Sequence, residues 1–192
     1  MIIQTDADGT IYKGNLLVSL GWVYLRYLLK KEKYLQFFDR LIKLPVFYFL
    51  SYIPQYTYLA FLPFKGCPFE LASEVKNPVK KKWISEIERL KPEKIIVISH
   101  QEKTILGKFI KNTPELKNYN FEIISNSAQI EDGKFTGKSE IKINLYTKYK
   151  FVDKNFFFLG DMRDYLFYGR KAEKFILISR LRLDFLFHGK GT

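Results

Sequence analysis

Short apolar runs that recur along the chain constrain its fold more than any other feature. Residues 95–98, 156–159 and 175–178 carry only apolar side chains, which is typical of strands buried on both faces of a sheet. After the first run, four apolar residues recur at helical spacing: Ile105, Leu106, Phe109 and Ile110. Strands that alternate with helices in this way predict an α/β fold with a mainly parallel sheet.

The strand-like start of the chain and two of these runs each lead into a polar residue. Asp6 and Asp8 come directly after residues 1–5, Ser99 ends the run 95–98, and Asp161 follows the run 156–159 across one glycine. Ligands of open parallel sheets bind outside the carboxyl ends of the strands. We therefore expect these residues, far apart in sequence, to converge on one site.

The segment Asp6-Ala7-Asp8-Gly9-Thr10 suits phosphate chemistry. One carboxylate can attack phosphorus while the other transfers a proton, and Gly9 lets the backbone turn close to the site. Thr10 is expected to hold this loop through its hydroxyl group. An acidic pair of this kind is also found in solvated loops and helix caps. The prediction of a phosphate site therefore rests on the order in which this pair and the later polar residues occur along the chain.

A segment rich in leucine and aromatic residues follows this loop. Residues 16–29 are apolar on nearly all sides, and the apolar residues of 34–42 recur at helical spacing, so two helices are predicted. Residues 44–64 contain no formal charge over 21 positions but include Pro45, Pro54 and Pro63. We interpret them as two short helices in the packed interior of a helical unit, with a membrane element as the alternative. Asn77 and Pro78 are expected to begin the next helix.

Charge and cysteine content restrict the partners and the compartment. The chain has 32 Lys and Arg residues against 20 Asp and Glu, a formal charge of +12, which attracts phosphorylated substrates, anionic lipids or nucleic acids. Nucleic acid is disfavoured because the aromatic residues lie in apolar runs and do not alternate with basic ones. The single cysteine, Cys67, excludes an intrachain disulfide and indicates a cytoplasmic protein. The basic cluster Lys80-Lys81-Lys82 is expected to be a solvated helix face, with peripheral contact to the inner face of the membrane as the alternative.

The order of these motifs resembles the haloacid dehalogenase-like (HAD) superfamily of phosphatases. Its members carry Asp-x-Asp-x-Thr, a strand-ending Ser or Thr, a Lys, and a Gly-Asp followed by another acid. The insertion directly after the first motif and the run Asp132-Gly133-Lys134-Phe135-Thr136-Gly137 look most like the branch that contains phosphoserine phosphatase. In composition the insertion is also similar to phosphatidylglycerophosphatase-type members. The resemblance implies a three-layer, Rossmann-type parallel sheet core (1–13 and 91–192) with an inserted α-helical cap (14–90).

The resemblance also implies a function and roles for the residues. The chain would be a Mg²⁺-dependent phosphomonoester hydrolase in which Asp6 forms an aspartyl-phosphate and Asp8 is the acid and base. Ser99 would bind the phosphoryl oxygens, and Mg²⁺ would bind Asp6, the main-chain carbonyl of Asp8 and Asp161. Asp164 would bind the metal through water, although it follows Asp161 at a shorter spacing than is usual in the family.

Two points stay open at this level. Lys142, Lys148 and Lys150 all precede the run 156–159. Lys148 is favoured as the phosphate-binding lysine because Thr147 would cap a short helix and direct the amine, and Lys142 is second. The substrate is a small phosphorylated metabolite or a lipid phosphate. The alternative function is a catalytically silent, basic protein that binds phosphate, lipid or nucleic acid.

Overall fold

The computed structural model describes residues 1–144 and 146–179, so the part of the predicted core at 180–192 lies outside the described residues. The strands are β1 (Ile2–Thr5), β2 (Lys94–Glu102), β3 (Phe121–Glu131), β4 (Lys134–Glu140), β5 (Phe157–Asp161) and β6 (Lys174–Ser179). The α-helices are α1 (Leu16–Lys30), α2 (Tyr34–Leu50), α3 (Lys81–Leu90), α4 (Lys103–Asn112), α5 (Lys148–Phe151) and α6 (Met162–Tyr168). Three 3₁₀ segments lie between α2 and α3, at Pro54–Ala60, Leu62–Phe64 and Phe69–Glu74.

The strands form one six-stranded sheet in the order β4-β3-β2-β1-β5-β6. All neighbouring pairs are parallel except β3 and β4, which are antiparallel. β1 lies in the middle, between strands that come much later in the chain. The predicted α/β class and the mainly parallel sheet are therefore confirmed, and the carboxyl end of β1 lies where ligands bind in such sheets.

Apolar clusters on the two faces of the sheet explain why the runs 95–98 and 156–159 lack polar residues. Ile95 and Val97 belong to the larger cluster, together with side chains of α1 and α4, whereas Ile98 belongs to a second cluster with Phe158. Successive side chains of a strand point to opposite faces, so a strand covered on both sides must be apolar throughout. The interpretation of the apolar runs as doubly buried strands is confirmed.

The hairpin between β3 and β4 turns at Asp132 and Gly133. Both residues have positive φ, 48° and 70°, as the tight two-residue turn favoured between antiparallel strands requires. The preceding strand β3 is long, 11 residues, because the same segment pairs with β2 on one side and with β4 on the other.

Two further boundaries differ from the sequence prediction. β2 does not stop at Ser99 but continues to Glu102, with an irregular register beyond Ile98. Helix α3 begins at Lys81, and Asn77 does not cap it, because the Asn77 side chain instead donates a hydrogen bond to the Lys13 carbonyl at 2.6 Å. Asn77 therefore fastens the loop after β1 and does not begin a helix.

The segment 44–64 is packed interior only in its later part, where Phe61, Pro63 and Phe64 are buried. Its first part continues α2 through Pro45, and no residue of α2 is buried. Pro45 and Leu41 are both exposed, so water can satisfy the Leu41 carbonyl that a proline at position 45 leaves without its helical donor. No helix among the described residues is both long and apolar enough to cross a bilayer. The division into a core and a cap stays a prediction.

Candidate active site

Two aspartates meet at the carboxyl ends of the central strands. Asp6 follows β1 directly, and its N–H donates a 3.0 Å hydrogen bond to the carbonyl of Leu159 in β5. Asp161 ends β5, so the two residues leave neighbouring strands at the same edge. Both side chains are buried. The parallel pairing of β1 with β5 therefore brings Asp6 and Asp161 to the same edge of the sheet.

Lys148 brings a third acidic residue to this pair. Its Nζ donates to Asp6 Oδ1 at 2.6 Å and to Asp164 Oδ1 at 2.7 Å. The side chain is buried, whereas those of Lys142 and Lys150 are exposed. Of the three candidate lysines, Lys148 is therefore the one that joins the acidic cluster.

Thr147 precedes α5 as expected but does not cap it with its side chain. Its hydroxyl accepts a hydrogen bond from the Asn144 N–H and donates one to the Lys142 carbonyl. The buried Asn126 fixes the same loop: its amide donates to the carbonyls of His100 and Ile143 and accepts from two main-chain N–H groups. The position of Lys148 thus depends on a loop held by Asn126 and Thr147, not on a helix cap.

The charges of this cluster shift two of its pKa values. Burial alone lowers the pKa of Lys148, but the charges of Asp164 and Asp6 outweigh it, and the pKa stands above its ordinary value. The pKa of Asp164 is raised, first by burial and then by the nearby charge of Asp6, against the opposing effect of Lys148. One lysine charge therefore does not compensate the buried carboxylates around it.

Asp161 and Asp164 form a reciprocal helix cap. Asp161 Oδ1 accepts from the N–H groups of Arg163 and Asp164, and Asp164 Oδ2 accepts from the Asp161 N–H. A spacing of three residues is the one that allows this capping box. The short interval between the two acids thus has a structural reason.

Gly160 allows Asp164 to approach the strand. A Cβ atom at position 160 would lie 2.8 Å from Asp164 Cβ and 2.8 Å from Phe175 Cζ, which is closer than carbon atoms can pack. A larger residue would push α6 away from β5. Glycine is therefore needed before Asp161 so that Asp164 can reach Lys148.

Asp8 is oriented by three donors that the sequence analysis did not anticipate. Tyr12 O–H donates to its Oδ1 at 2.6 Å, while the side-chain amides of Asn15 and Gln101 donate to its Oδ2. Gln101 reaches Asp8 because β2 runs beyond Ser99. Only Asn15 carried a usable sequence signal, because it also caps α1, accepting from Val18 N–H.

The remaining predicted residues lie beside these groups. Ser99 is buried, and in the register of β1 with β2 it lies one residue beyond the position opposite Asp6. Its Oγ accepts a hydrogen bond from the Gln101 N–H, and that bond does not use the hydrogen of the Ser99 hydroxyl group. Gly9 has a φ of 71°, as the predicted tight loop requires. The expectation for Thr10 was wrong: its buried hydroxyl has no hydrogen-bond partner within the described structure. The N–H groups of Thr10 and Ile11 hold the loop by donating to the Ala7 carbonyl.

The donor set of this cluster fits a hard divalent cation. Three buried carboxylates, those of Asp6, Asp161 and Asp164, lie at this edge of the sheet, and two of them, Asp6 and Asp164, contact Lys148. Mg²⁺ prefers oxygen ligands, few carboxylates and retained water. In residues 1–144 and 146–179, no group of three or more Asp, Glu, His or Cys side chains has the arrangement of a metal centre. The set of Mg²⁺ ligands expected from the sequence is smaller than such a group, because it consists of the carboxylates of Asp6 and Asp161 and the main-chain carbonyl of Asp8.

A pocket opens from Asp8 towards the insertion. Its polar wall includes His100, Gln101 and Arg163, and the Arg163 guanidinium lies 5.2 Å from the centre of the Tyr52 ring. Its apolar and aromatic wall comes mainly from the insertion: Leu17, Tyr48, Tyr52, Ala60 and Phe61. His100 lies in β2 and also lines this pocket.

Comparison with known proteins places this fold. No protein-family model and no curated protein sequence matches the chain. Among solved structures, a phospho-aspartyl intermediate analogue of phosphoserine phosphatase is 16% identical, with a TM-score of 0.60 over 92% of this chain and 85% of that one. A HAD-family hydrolase from Salmonella enterica subsp. enterica serovar Typhi is 15% identical, with a TM-score of 0.60 over 95% and 68%. A cytosolic 5′-nucleotidase IIIB bound to cytidine is 15% identical, with a TM-score of 0.53 over 83% and 66%.

The sheet order, the insertion after the first strand and these similarities agree with one another. The resemblance in motifs is thus confirmed at the level of the fold, whereas the likeness to phosphatidylglycerophosphatase-type members stays a prediction. The chain has a HAD-like, Rossmann-type α/β fold similar to that of phosphoserine phosphatase.

Proposed function

We propose that the protein is a HAD-type phosphatase: a Mg²⁺-dependent phosphomonoester hydrolase that acts through an aspartyl-phosphate on Asp6. The main support is the contact of Lys148 Nζ with both Asp6 and Asp164 at the carboxyl edge of the sheet, in a buried cluster next to Asp8. The motif order Asp6, Ser99, Lys148 and Asp161 adds support. So does the similarity in fold to a phosphoserine phosphatase whose structure holds a phospho-aspartyl intermediate analogue.

Two displacements at phosphorus make up the proposed reaction. In the first, a carboxylate oxygen of Asp6 attacks the phosphorus atom, the bond to the leaving oxygen breaks, and Asp8 gives that oxygen a proton. In the second, water attacks the phosphorus of the aspartyl-phosphate and loses a proton to Asp8, and the bond to Asp6 breaks to release phosphate. Dividing one displacement into two lets the same carboxyl group serve as acid and then as base.

The surrounding groups balance charge and fix orientation. Lys148 holds Asp6 in place and offers positive charge to the phosphoryl oxygens, while Ser99 offers its hydroxyl hydrogen to them. Tyr12, Asn15 and Gln101 keep Asp8 facing the pocket. Asp6, Asp161 and the main-chain carbonyl of Asp8 would hold Mg²⁺, with Asp164 contributing through water, and the ion would offset repulsion between carboxylate and phosphate.

The pocket favours a leaving group with apolar or aromatic character. Its lining residues within the described chain include no carboxylate other than Asp8, so a substrate ammonium group would find no separate counter-charge. The aromatic rings of Tyr48, Tyr52 and Phe61 offer apolar surface instead. This composition supports a lipid phosphate or an aromatic phosphomonoester over a phosphorylated amino acid.

A catalytically silent phosphate-binding protein is the competing function. The formal charge of +12 favours anion binding without any chemistry. The two functions require different things of Asp6. An enzyme needs its carboxylate as a nucleophile, whereas a binding protein does not and should bind phosphate no less well when Asp6→Asn removes the negative charge. We place the protein in the cytoplasm on the basis of its single cysteine, and nucleic acid is not among the proposed partners.

A panel of phosphomonoesters tests this proposal. Aryl phosphates, nucleotides, phosphoserine and lipid phosphates in detergent are offered with Mg²⁺ and with EDTA, to the wild type and to Asp6→Asn. We expect Mg²⁺-dependent release of phosphate that is abolished in Asp6→Asn, with aryl or lipid phosphates preferred over phosphoserine. A folded wild type that binds phosphate but turns over no member of the panel would favour the silent binding protein.

A further inference from the structure

We propose that the outward face of α2 docks the protein onto an anionic lipid bilayer. The inference concerns a surface outside the acidic cluster and goes beyond the proposed hydrolysis, which it neither requires nor implies. The protein would lie on the membrane rather than span it.

An exposed apolar stripe runs along α2. Its members lie three or four residues apart and so share one side of the helix: Leu35, Phe38, Ile42, Val46 and Phe49. Their exposed fractions range from 49% to 89%. The other side of α2 packs Phe37 and Leu44 against the core. The helix is therefore apolar on both sides, and the described chain covers only one of them.

The segment after α2 continues this apolar character. Ile53, Tyr56 and Tyr58 are all exposed, in and just before the first 3₁₀ segment. Aromatic side chains with a polar tip are favoured at the boundary between lipid and water. Together with the stripe, they make a surface that is costly to leave in contact with water alone.

Basic residues flank the amino-terminal end of the stripe. Arg26, Lys30, Lys31 and Lys33 are exposed where α1 turns into α2, and Glu32 is the only acid among residues 26–33. An apolar helix face flanked by lysine and arginine is the arrangement that binds anionic bilayers, since the chains insert while the charges meet the headgroups. Charge complementarity thus identifies an anionic bilayer as the occupant.

A second copy of the chain fits the surface less well. The spacing of the stripe would also suit helix pairing, but residues 16–60 contain only two acids, Glu32 and Asp39. Asp39 already pairs with Arg40 and Lys43 in its own helix. A copy placed on the stripe would therefore bring no acidic surface to meet the basic cluster.

Vesicle sedimentation tests the docking surface. The full chain is mixed with phosphatidylcholine vesicles that contain or lack phosphatidylglycerol, at low and at high salt. We expect binding only to the anionic vesicles and weakening with salt. Phe38→Ser combined with Ile42→Ser should weaken binding by more than about tenfold, because each change removes apolar surface that would enter the bilayer. Lys30→Gln, Lys31→Gln and Lys33→Gln together should weaken it by about 100-fold.

Matched controls separate this surface from charge in general. Lys111→Gln, Lys117→Gln and Lys134→Gln remove the same charge from exposed lysines elsewhere and should leave most of the binding intact. Leu166→Gln removes an exposed apolar side chain from α6 and should also bind like the wild type. Circular dichroism verifies that each variant is folded.

Several results would overturn the proposal. Among them are no binding to anionic vesicles at low salt, equal losses in the two lysine triples, and unchanged binding when the stripe is altered. A wild-type dimer that Ile42→Ser converts to a monomer, with vesicle binding unchanged, would assign the stripe to a second copy instead. Asp6→Asn should bind vesicles like the wild type, so a failure of the docking surface and a failure of the proposed hydrolysis would be seen separately.

Discussion

Lys148 donates a 2.6 Å hydrogen bond to Asp6 although the two residues are 142 positions apart in sequence. The contact exists because β1 lies beside β5 and because the loop before α5 is fastened to β2 by Asn126. The same amine reaches Asp164, so one lysine holds together residues from three parts of the chain. The proposed chemistry depends on this junction.

Replacing Lys148 should impair both activity and stability. Lys148→Met leaves two buried carboxylates without their counter-charge, which costs about 3–5 kcal/mol in the free energy of unfolding. The phosphoryl group also loses a positive partner, so kcat/KM should fall by about 10² to 10³. Urea unfolding and steady-state kinetics measure the two effects. The matched variant Lys142→Met alters an exposed lysine and should change neither, and equal losses in both variants would contradict the assignment.

Gly160→Ala tests whether Asp164 must approach the strand closely. The added Cβ would overlap Asp164 and Phe175, so Asp164 should move away from Lys148 and activity should fall by more than about tenfold. Gly107→Ala is the control, because its Cβ would meet only Ile123 at 3.8 Å within helix α4. That change should raise the free energy of unfolding by about 0.5–1 kcal/mol and leave activity alone. Full activity in Gly160→Ala would show that the position of Asp164 is unimportant.

Asp8→Asn should affect the two chemical steps differently. An aryl leaving group departs without a proton, so the first step should survive on an aryl phosphate, while the second should lack the base that activates water. Steady-state turnover should fall by about 10² to 10⁴, and rapid mixing should show a burst of aryl product of about one per enzyme molecule. On an alkyl phosphate the first step should also fail. A variant that loses no turnover on either substrate would remove Asp8 from the mechanism.

Binding of Mg²⁺ should be visible without any turnover. A ligand that binds only the folded protein raises its free energy of unfolding, by about 2.7 kcal/mol at one hundred times its dissociation constant. The midpoint of thermal unfolding should therefore rise with Mg²⁺ in the wild type. Asp161→Asn keeps an oxygen that can cap α6 but loses a charged metal ligand, so its midpoint should rise much less. Equal shifts in both proteins, or no shift in either when ionic strength is held constant, would count against the proposed ligands.

The fold followed from the sequence because its signals are local and repeated. Strands β2, β5 and β6 each contain an unbroken apolar run that is visible in the sequence alone. Lys148, the favoured lysine, does contact Asp6 and Asp164. The expected cap is absent, since the Thr147 side chain holds a loop and does not cap α5, and a phosphate-binding role for Lys148 stays a prediction.

The contacts that were missed depend on how distant segments pack. Gln101 reaches Asp8 only because β2 continues past Ser99 through an irregular register. No local sequence pattern predicts this continuation. The apolar periodicity of residues 34–42 predicted the first part of α2 but not its continuation through Pro45 to Leu50. It also could not tell which face of the helix the core would cover. The steric need for Gly160 likewise appears only once Asp164 and Phe175 are seen on either side of it.

Locating the transferred phosphoryl group is the sharpest test of whether Asp6 forms an aspartyl-phosphate. Wild-type protein and Asp8→Asn are mixed with an aryl phosphate and Mg²⁺, quenched in acid and digested, and the peptides are analysed by mass spectrometry. We expect one acid-stable phosphoryl group on Asp6. It should be more abundant in Asp8→Asn than in the wild type and absent from Asp6→Asn. Turnover by the wild type with no phosphoryl group on Asp6 in either protein, together with retained activity in Asp6→Asn, would contradict this expectation.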